Sequence, residues 1–462
     1  YSWHVMGGSN FYYIICYTLT SPTMVPLLIV PMKYYAATLG LMIVAIAVLM
    51  FISMSYYLTH RVSKARLNKN QPEVLLFGMA YGLLPAFVAM SGYYPYLGVF
   101  VLVPILILGL ERFVANLGWR MYFITLALIM FFNFYIGGIV CIFTVLYYLT
   151  LSFKNAKEFF VKSLKIIIMS IMALGVASVL LIPVAFIAFN GGYGFSEYLG
   201  FGFFQEWFAV LEQALMFNDI VLSGSDYTNY WESNLYVGIL IEILALTYFF
   251  NKSIRLNVRF RKLIVFVIML FTLNESTFNY VMHMFHYTVS NPNRQTILFL
   301  FYMIIMAQES FTLYKENSYV LSKVRVIIAV ALMIVVDIGA VVTTVGDANI
   351  NMYLYSFDFM LLYGVLLFLK NRFKSKETFA ITLTVILILE MGWNYTTLFG
   401  HFENAKKVCL VTDKLVERIY GGDNEAALGQ EIEVNVGGTY HTYYIVGVYE
   451  YVQEQFSFGV SD

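Results

Sequence analysis

The chain has 462 residues, of which 60% are hydrophobic, 18% aromatic and only 12% charged, with a mean hydropathy of +0.74 and a formal net charge of +0. A soluble domain carries about 25% charged residues, so this composition excludes a water-soluble globule and makes lipid the natural solvent. Zero net charge offers nothing to a nucleic-acid backbone. The three cysteines, Cys16, Cys141 and Cys409, lie far apart without metal-ligand spacing and read as small hydrophobes.

Crossing a bilayer takes about 20 apolar residues, within a range of about 17–25. Twelve stretches read as spans: 33–58, 73–90, 97–110, 121–134, 137–153, 166–189, 236–250, 263–281, 295–314, 326–345, 353–370 and 378–398. The third and fourth are short and can extend into their flanks. Lys and Arg collect in every second connection, in "THRVSKARLNKNQPE", "ERFVANLGWR", "KNAKEFFVKSLK", "NKSIRLNVRFRK", "KENSYVLSKVR" and "KNRFKSKE". These six hold 22 of the 28 basic residues. Such alternation marks the basic loops as cytoplasmic. Residues 1–32, the large 190–235 loop, the 282–294 loop and everything after about 399 then lie outside. Only Lys33 and Arg294 stand as cations at the outer face of the membrane domain.

The tail is different material. Residues 401–462 carry ten acids against four bases. "TDKLVERIYGG" reads as a short helix with a Thr or Asp cap and a Gly stop. "EIEVNVGGTYHTYYIVGVYEY" reads as two strands around a Gly-Gly turn. The fold class is thus an all-α polytopic membrane protein of about twelve transmembrane helices, followed by a small extracellular α+β segment.

The opening "YSWHVMGGSNFYYIICYTLTSP" resembles an outer loop of the YfhO family of Gram-positive membrane proteins, with Ser2, Trp3, Gly7, Gly8, Asn10, Phe11, Tyr17, Ser21 and Pro22 as the matching residues. Further likenesses follow in order: Pro104, Gly109 and Glu111 in "LVPILILGLERF", Asn133, Tyr135 and Gly137 in "NFYIGG", and His286, Pro292 and Arg294 in "MFHYTVSNPNRQTILFLF". The resemblance covers about residues 1–400. It implies a GT-C-like glycosyltransferase that moves a sugar from a polyprenyl-phosphate donor to an acceptor at the outer face, such as a cell-wall polymer of the teichoic acid kind. Such chemistry needs a carboxylate to take the acceptor proton or hold a divalent metal, and cations or polar donors for the phosphate. In GT-C enzymes that acid lies in the first outer loop. The resemblance therefore implies a further helix and acid-bearing loop upstream of Tyr1, so the catalytic acid is unassigned in this chain.

Candidate residues follow from position. Arg294 is a phosphate clamp, its guanidinium matching phosphate oxygens as a fork, or an interfacial anchor. Lys33 has the same two readings. His283 and His286 share a helical face near Arg294 and offer acid–base help, a sugar contact, or an aromatic-belt residue. Asn133 and Tyr135 at a tight hairpin, with Trp3 and Asn10 in the opening loop, are sugar contacts or turn and packing residues. Among the acids of the 190–235 loop, Glu197 and Asp226 are the first to replace. Glu242, Glu275, Glu309, Asp337, Asp358 and Glu390 fall inside spans, where ionisable groups are functional candidates by default. If Asp337 and Glu242, the deepest, lined one path, transport would gain ground.

Residues 402–462 resemble a different family, the extracellular core domain of MacB-type ABC transporter permeases. The matching residues are Leu415 to Tyr420, Gly421, Leu428, Gly429, Ile432 to Val436 and Ile445 to Tyr449. No ATP-binding GxxxxGK[ST] motif is present, so an ABC ATPase is a partner only through this tail. Two partial families meeting near residue 402 imply a chimera. The alternatives to a transferase are a transporter or permease component and a non-catalytic membrane scaffold. A transporter is expected to show inverted repeats and broken helices at mid-membrane, and no such repeat is legible.

Overall fold

The computed structural model describes residue 12 and residues 15–91, 94–190, 198, 200–216, 234–287, 293–316, 323–343, 350–404, 408–421, 423–427, 430–436 and 439–449. The chain divides into two units, Tyr1–Tyr395 and Thr396–Asp462.

In the first unit every expected span coincides with helix. A π-helical turn (Ile15–Leu19) and a short helix α1 (Val25–Ile29) precede α2 (Tyr35–His60). Then come α3 (Pro72–Gly82), α4 (Pro85–Ala89), α5 (Tyr94–Val114), α6 (Arg120–Phe132), α7 (Phe134–Thr150) and α8 (Ala156–Asn190). After a short α9 (Trp207–Glu212) follow α10 (Ile239–Phe249), α11 (Leu256–Asn274), α12 (Ser276–Met282), α13 (Thr296–Glu316), α14 (Lys323–Thr343), α15 (Ile350–Phe368) and α16 (Lys376–Asn404). Seven helical stretches of the described residues are long and apolar enough to cross a membrane, with four shorter apolar helices beside them. This is an all-α polytopic membrane protein. The third expected span does extend into its flanks, as α5, whereas the fourth does not, because Asn133 ends α6.

Helix breaks inside a membrane must resatisfy their freed backbone groups, and three breaks show how. Pro85 splits the second span: it forces Leu84 out of the helical region (φ −68°, ψ 124°) and starts α4 at a position that needs no N–H donor. Asn133 separates α6 from α7 with extended backbone, and its Oδ1 accepts from Ile136 N at 2.8 Å. Glu275 separates α11 from α12, and its carboxylate accepts from Phe278 N at 2.9 Å. At that third break, part of the expected outer loop comes to its aid. Phe204 N donates to Asn274 O, Ser276 N to Gly202 O and Gln205 N to Asn274 Oδ1, each at 2.9 Å. Residues 200–216 therefore pack into the bundle, with Val210, Leu215 and Met216 buried.

Burial separates the centre from the rim. Thr296–Leu313 of α13 is 89% buried and forms the axis, whereas Ala156–Ile187 of α8 is 11% buried despite being the more apolar of the two. A lipid-facing helix must be apolar all along, while a central one can carry polar groups that find partners.

The second unit holds β1 (Val408–Thr412), α17 (Asp413–Tyr420), α18 (Asn424–Ala427), β2 (Glu431–Val436) and β3 (Thr439–Tyr449). The sheet order is β1-β3-β2, with β1 parallel and β2 antiparallel to β3. Val416, Ala427 and Ile445 form its small core. The expected helix and both strands are present, and Gly421 at φ +63° ends α17 in the left-handed conformation that glycine adopts without strain. The parallel strand β1 is an element the composition of the tail did not reveal.

Candidate functional site

Two buried polar centres sit at opposite ends of the helices of the first unit. The first gathers where the Lys/Arg-poor connections lie. The N-terminal turns of α5, α7 and α13, the π-helical turn and the residues after α12 meet there. Arg294, 5% exposed, precedes α13 in a turn that Thr296 closes by donating to Asn293 O at 2.8 Å. Its guanidinium carbon lies 4.9 Å from the ring centre of Tyr135 and 5.4 Å from that of Tyr96. Such contacts use the flat face of the guanidinium and leave its in-plane N–H fork for hydrogen bonds. The hydroxyls of Tyr96 and Tyr17 are hydrogen-bonded, and the two rings meet edge-to-face.

His283 completes this cage. Its ring stacks on Tyr135 with centroids 6.2 Å apart, and it is fully buried. Nδ1 lies 2.9 Å from Asn279 O, which can only accept, so Nδ1 carries the proton and Nε2 the lone pair. Burial first, and then the Arg294 and His286 charges, hold the imidazole down to about 3, so it stays neutral at physiological pH. Nε2 and the neighbouring Gln295 Oε1 are buried acceptors that no described residue satisfies. The two share a scaffold: Asn279 Nδ2 and Gln295 Nε2 both donate to Thr272 O, at 2.9 and 2.8 Å. The next two residues, Met284 and Phe285, hold φ at +58° and +65°. Successive non-glycine residues there store strain of about 1 kcal/mol or more each, which the surrounding packing must offset.

The sequence candidates distribute unevenly around this cage. Arg294, Tyr135, Asn133 and His283 come together. His286 is half-buried and close enough to act on His283. Asn133 is engaged within the protein at both ends of its amide, capping α7 and donating from Nδ2 to Tyr17 O at 2.8 Å. Lys33 is exposed and lies over its neighbour Tyr34, 4.8 Å from the ring centre, with no described contact to the cage. Trp3, Asn10, Glu197 and Asp226 lie outside the described residues. Tyr96 and Gln295 belong to the cage without having been singled out from sequence, and Tyr17 was named there only as a residue of the resemblance. The signal was available for the two tyrosines, since both fall in the aromatic openings of outer segments.

The second centre lies at the other end, where α2, α5, α7, α11 and α13 present their basic-loop termini. Arg61 Nη2 meets Glu309 at 2.8 Å and Glu111 at 3.3 Å, and Nη1 donates to Gln308 Oε1 at 2.7 Å. Lys262 Nζ meets the other oxygen of Glu309 at 2.5 Å. Tyr57 and Tyr147 donate to Glu111 at 2.9 and 2.8 Å. Arg61 and Lys262 belong to the basic connections of the sequence, yet they are buried, at 2% and 6% exposure. The network borders a cavity of about 490 Å³.

The other acids inside spans have separate fates. Glu390 accepts from Tyr236 (2.5 Å), Tyr363 (2.6 Å) and Ile239 N (2.8 Å), tying α10, α15 and α16. Glu242 borders an apolar cavity of about 170 Å³ that Asp337 does not line. Asp358 is exposed on its helix. No three His, Cys, Asp or Glu side chains among the described residues are grouped to hold a metal ion.

A family model described as bacterial membrane protein YfhO matches residues 1–414. No curated protein and no solved structure matches the chain.

Proposed function

The chain belongs to the YfhO family of bacterial membrane proteins, and from that premise we propose that it is a GT-C-like membrane glycosyltransferase. In this reading it transfers a sugar from a polyprenyl-phosphate donor to a cell-wall polymer or lipid acceptor at the outer face. The observation that carries the reading is the buried Arg294, aligned by the faces of Tyr96 and Tyr135. A lipid-linked donor keeps its phosphate at the interface, and a planar guanidinium fixed in one orientation recognises phosphate oxygens better than a mobile ammonium. As the bond to the sugar breaks, charge grows on the leaving phosphate, and a preorganised cation stabilises it. His283 Nε2 and Gln295 Oε1 supply acceptors for sugar hydroxyls. With its pKa near 3, His283 orients a hydroxyl but does not carry its proton at neutral pH. The proton acceptor is thus a different group, a carboxylate with or without a divalent metal.

The basic connections support a cytoplasmic location for that end of the bundle, and hence an outer location for the cage. The tail, with its helix followed by two antiparallel strands, is read as a partial MacB-like core domain on the same outer side.

The test is transfer of labelled sugar from a polyprenyl-phosphate donor by the full chain in proteoliposomes. Arg294→Ala is expected to lower the rate about a hundredfold, the usual cost of removing one transition-state donor. Arg294→Lys restores charge without the fork and falls between. Wild-type rates in Arg294→Ala would sink the reading. Uptake or efflux of solute by wild-type protein that makes no sugar product would replace it with the transporter alternative.

A further inference from the structure

The second centre carries a function of its own, independent of sugar transfer. Its cavity of about 490 Å³ is lined by four cations, Arg61, Lys154, Lys162 and Lys262, and three carboxylates, Glu111, Glu158 and Glu309. Each carboxylate is already matched. Glu309 bridges Arg61 and Lys262, Glu111 takes Arg61 and two tyrosine hydroxyls, and Glu158 takes Lys162 at 2.6 Å. One positive charge is left over. Arg61 Nε is buried with no hydrogen-bond partner among the described residues, and Lys154 stands at the rim with an exposed side chain. A buried donor beside an uncompensated cation calls for an anion.

The shape says where the anion comes from. A second cavity of about 200 Å³ shares Val114 and Lys162 with the first and continues past Phe113, Ile166, Trp119 and Lys165. This extension runs along α8, the helix with the least burial, and Trp119 is 44% exposed. A polar chamber that shares a wall with a smaller cavity beside the exposed α8, edged by a Trp and a Lys, suits a headgroup with an attached chain. Basic pockets between helices on the cytoplasmic side recognise anionic lipids in this way. We propose that this chamber binds the phosphate of an anionic phospholipid headgroup, with one acyl chain leaving along α8.

The experiment uses the full chain purified in neutral detergent and titrated with phosphatidylglycerol, phosphatidylcholine or inorganic phosphate, with melting followed by Trp fluorescence. Phosphatidylglycerol is expected to raise the melting temperature where phosphatidylcholine does not. Lys154→Ala, at an exposed position that folding does not need, is expected to weaken that lipid about fivefold. Trp119→Ala is expected to weaken the lipid further while leaving any response to inorganic phosphate unchanged. An equal response to inorganic phosphate and to phosphatidylglycerol would overturn the lipid assignment. No preference for phosphatidylglycerol, or an unchanged affinity in Lys154→Ala, would overturn the site.

Discussion

Two arginines, Arg61 and Arg294, are almost equally buried, at 2% and 5% exposure, yet they sit in opposite kinds of surroundings. Arg61 is held by carboxylates and an amide, whereas Arg294 is held between aromatic faces. A carboxylate cage engages both terminal nitrogens, leaves only Nε over, and makes that end of the guanidinium part of the framework. An aromatic cage fixes the plane of the guanidinium without neutralising its charge. Burial alone therefore does not distinguish a structural arginine from a binding one; the chemistry of the neighbours does.

The sharpest way to break this contrast is to remove each arginine in turn. Arg61→Met strands Glu111 as an uncompensated buried charge and leaves Glu309 with Lys262 alone, and breaking a buried pair in this way costs about 3–5 kcal/mol. We expect little folded protein on size-exclusion chromatography, and a partial return when Glu111→Gln is added. Arg294→Met is expected to fold normally and lose only activity. If both variants fold equally well, the contrast is wrong.

A smaller effect probes the support of the Arg294 cage. A Cβ at Gly138 would clash with Met284 Sδ. Gly138→Ala thus pushes Met284 out of its place beside His283, with an expected loss of about 1–3 kcal/mol in detergent unfolding. Met284→Ala in the same chain should restore most of it, since the clash is with that side chain.

The pH response of the cage is smaller again. His283 has its folded pKa depressed, from about 6.5 in an unfolded chain to about 3. The fold favours the neutral ring, so its stability is complete above about pH 6.5 and is lost as pH falls toward 3. At pH 5.5 the loss is about 1 kcal/mol relative to pH 7.5. His283→Gln should flatten that part of the pH–melting profile, and an unchanged profile would mean that this ring is not held neutral. The smallest effect is Asn133→Ala, which removes the cap of α7 and should cost about 1 kcal/mol, read as a lower melting temperature without change in the response to pH.

What was legible in the sequence divides along the same lines. Spans were readable because lipid demands continuous apolar surface, and each of the twelve corresponds to helix. The start of α8 was misjudged by about ten residues: Lys157, Glu158, Lys162 and Lys165 end an apolar window but not a helix. The Arg294 cage was half-legible, because scarcity of cations at one end drew attention to Arg294, and aromatic residues nearby are what an interface contains anyway. The Arg61 network was not legible. Its members come from five helix ends, and its acids and bases looked, one at a time, like solvated residues at span termini. Only the tertiary packing of α13 against its neighbours reveals that they face inward.

That packing has a consequence for how the protein is made. Arg61 emerges from the ribosome 248 residues before Glu309, a delay of roughly 10–50 s at about 5–20 residues per second. Throughout that interval α2 is already in the bilayer with its arginine at the water boundary, while the helix that will sequester it has not been synthesised. The axis of the bundle is therefore a late arrival, and the charge network around Arg61 closes only once α13 is in place.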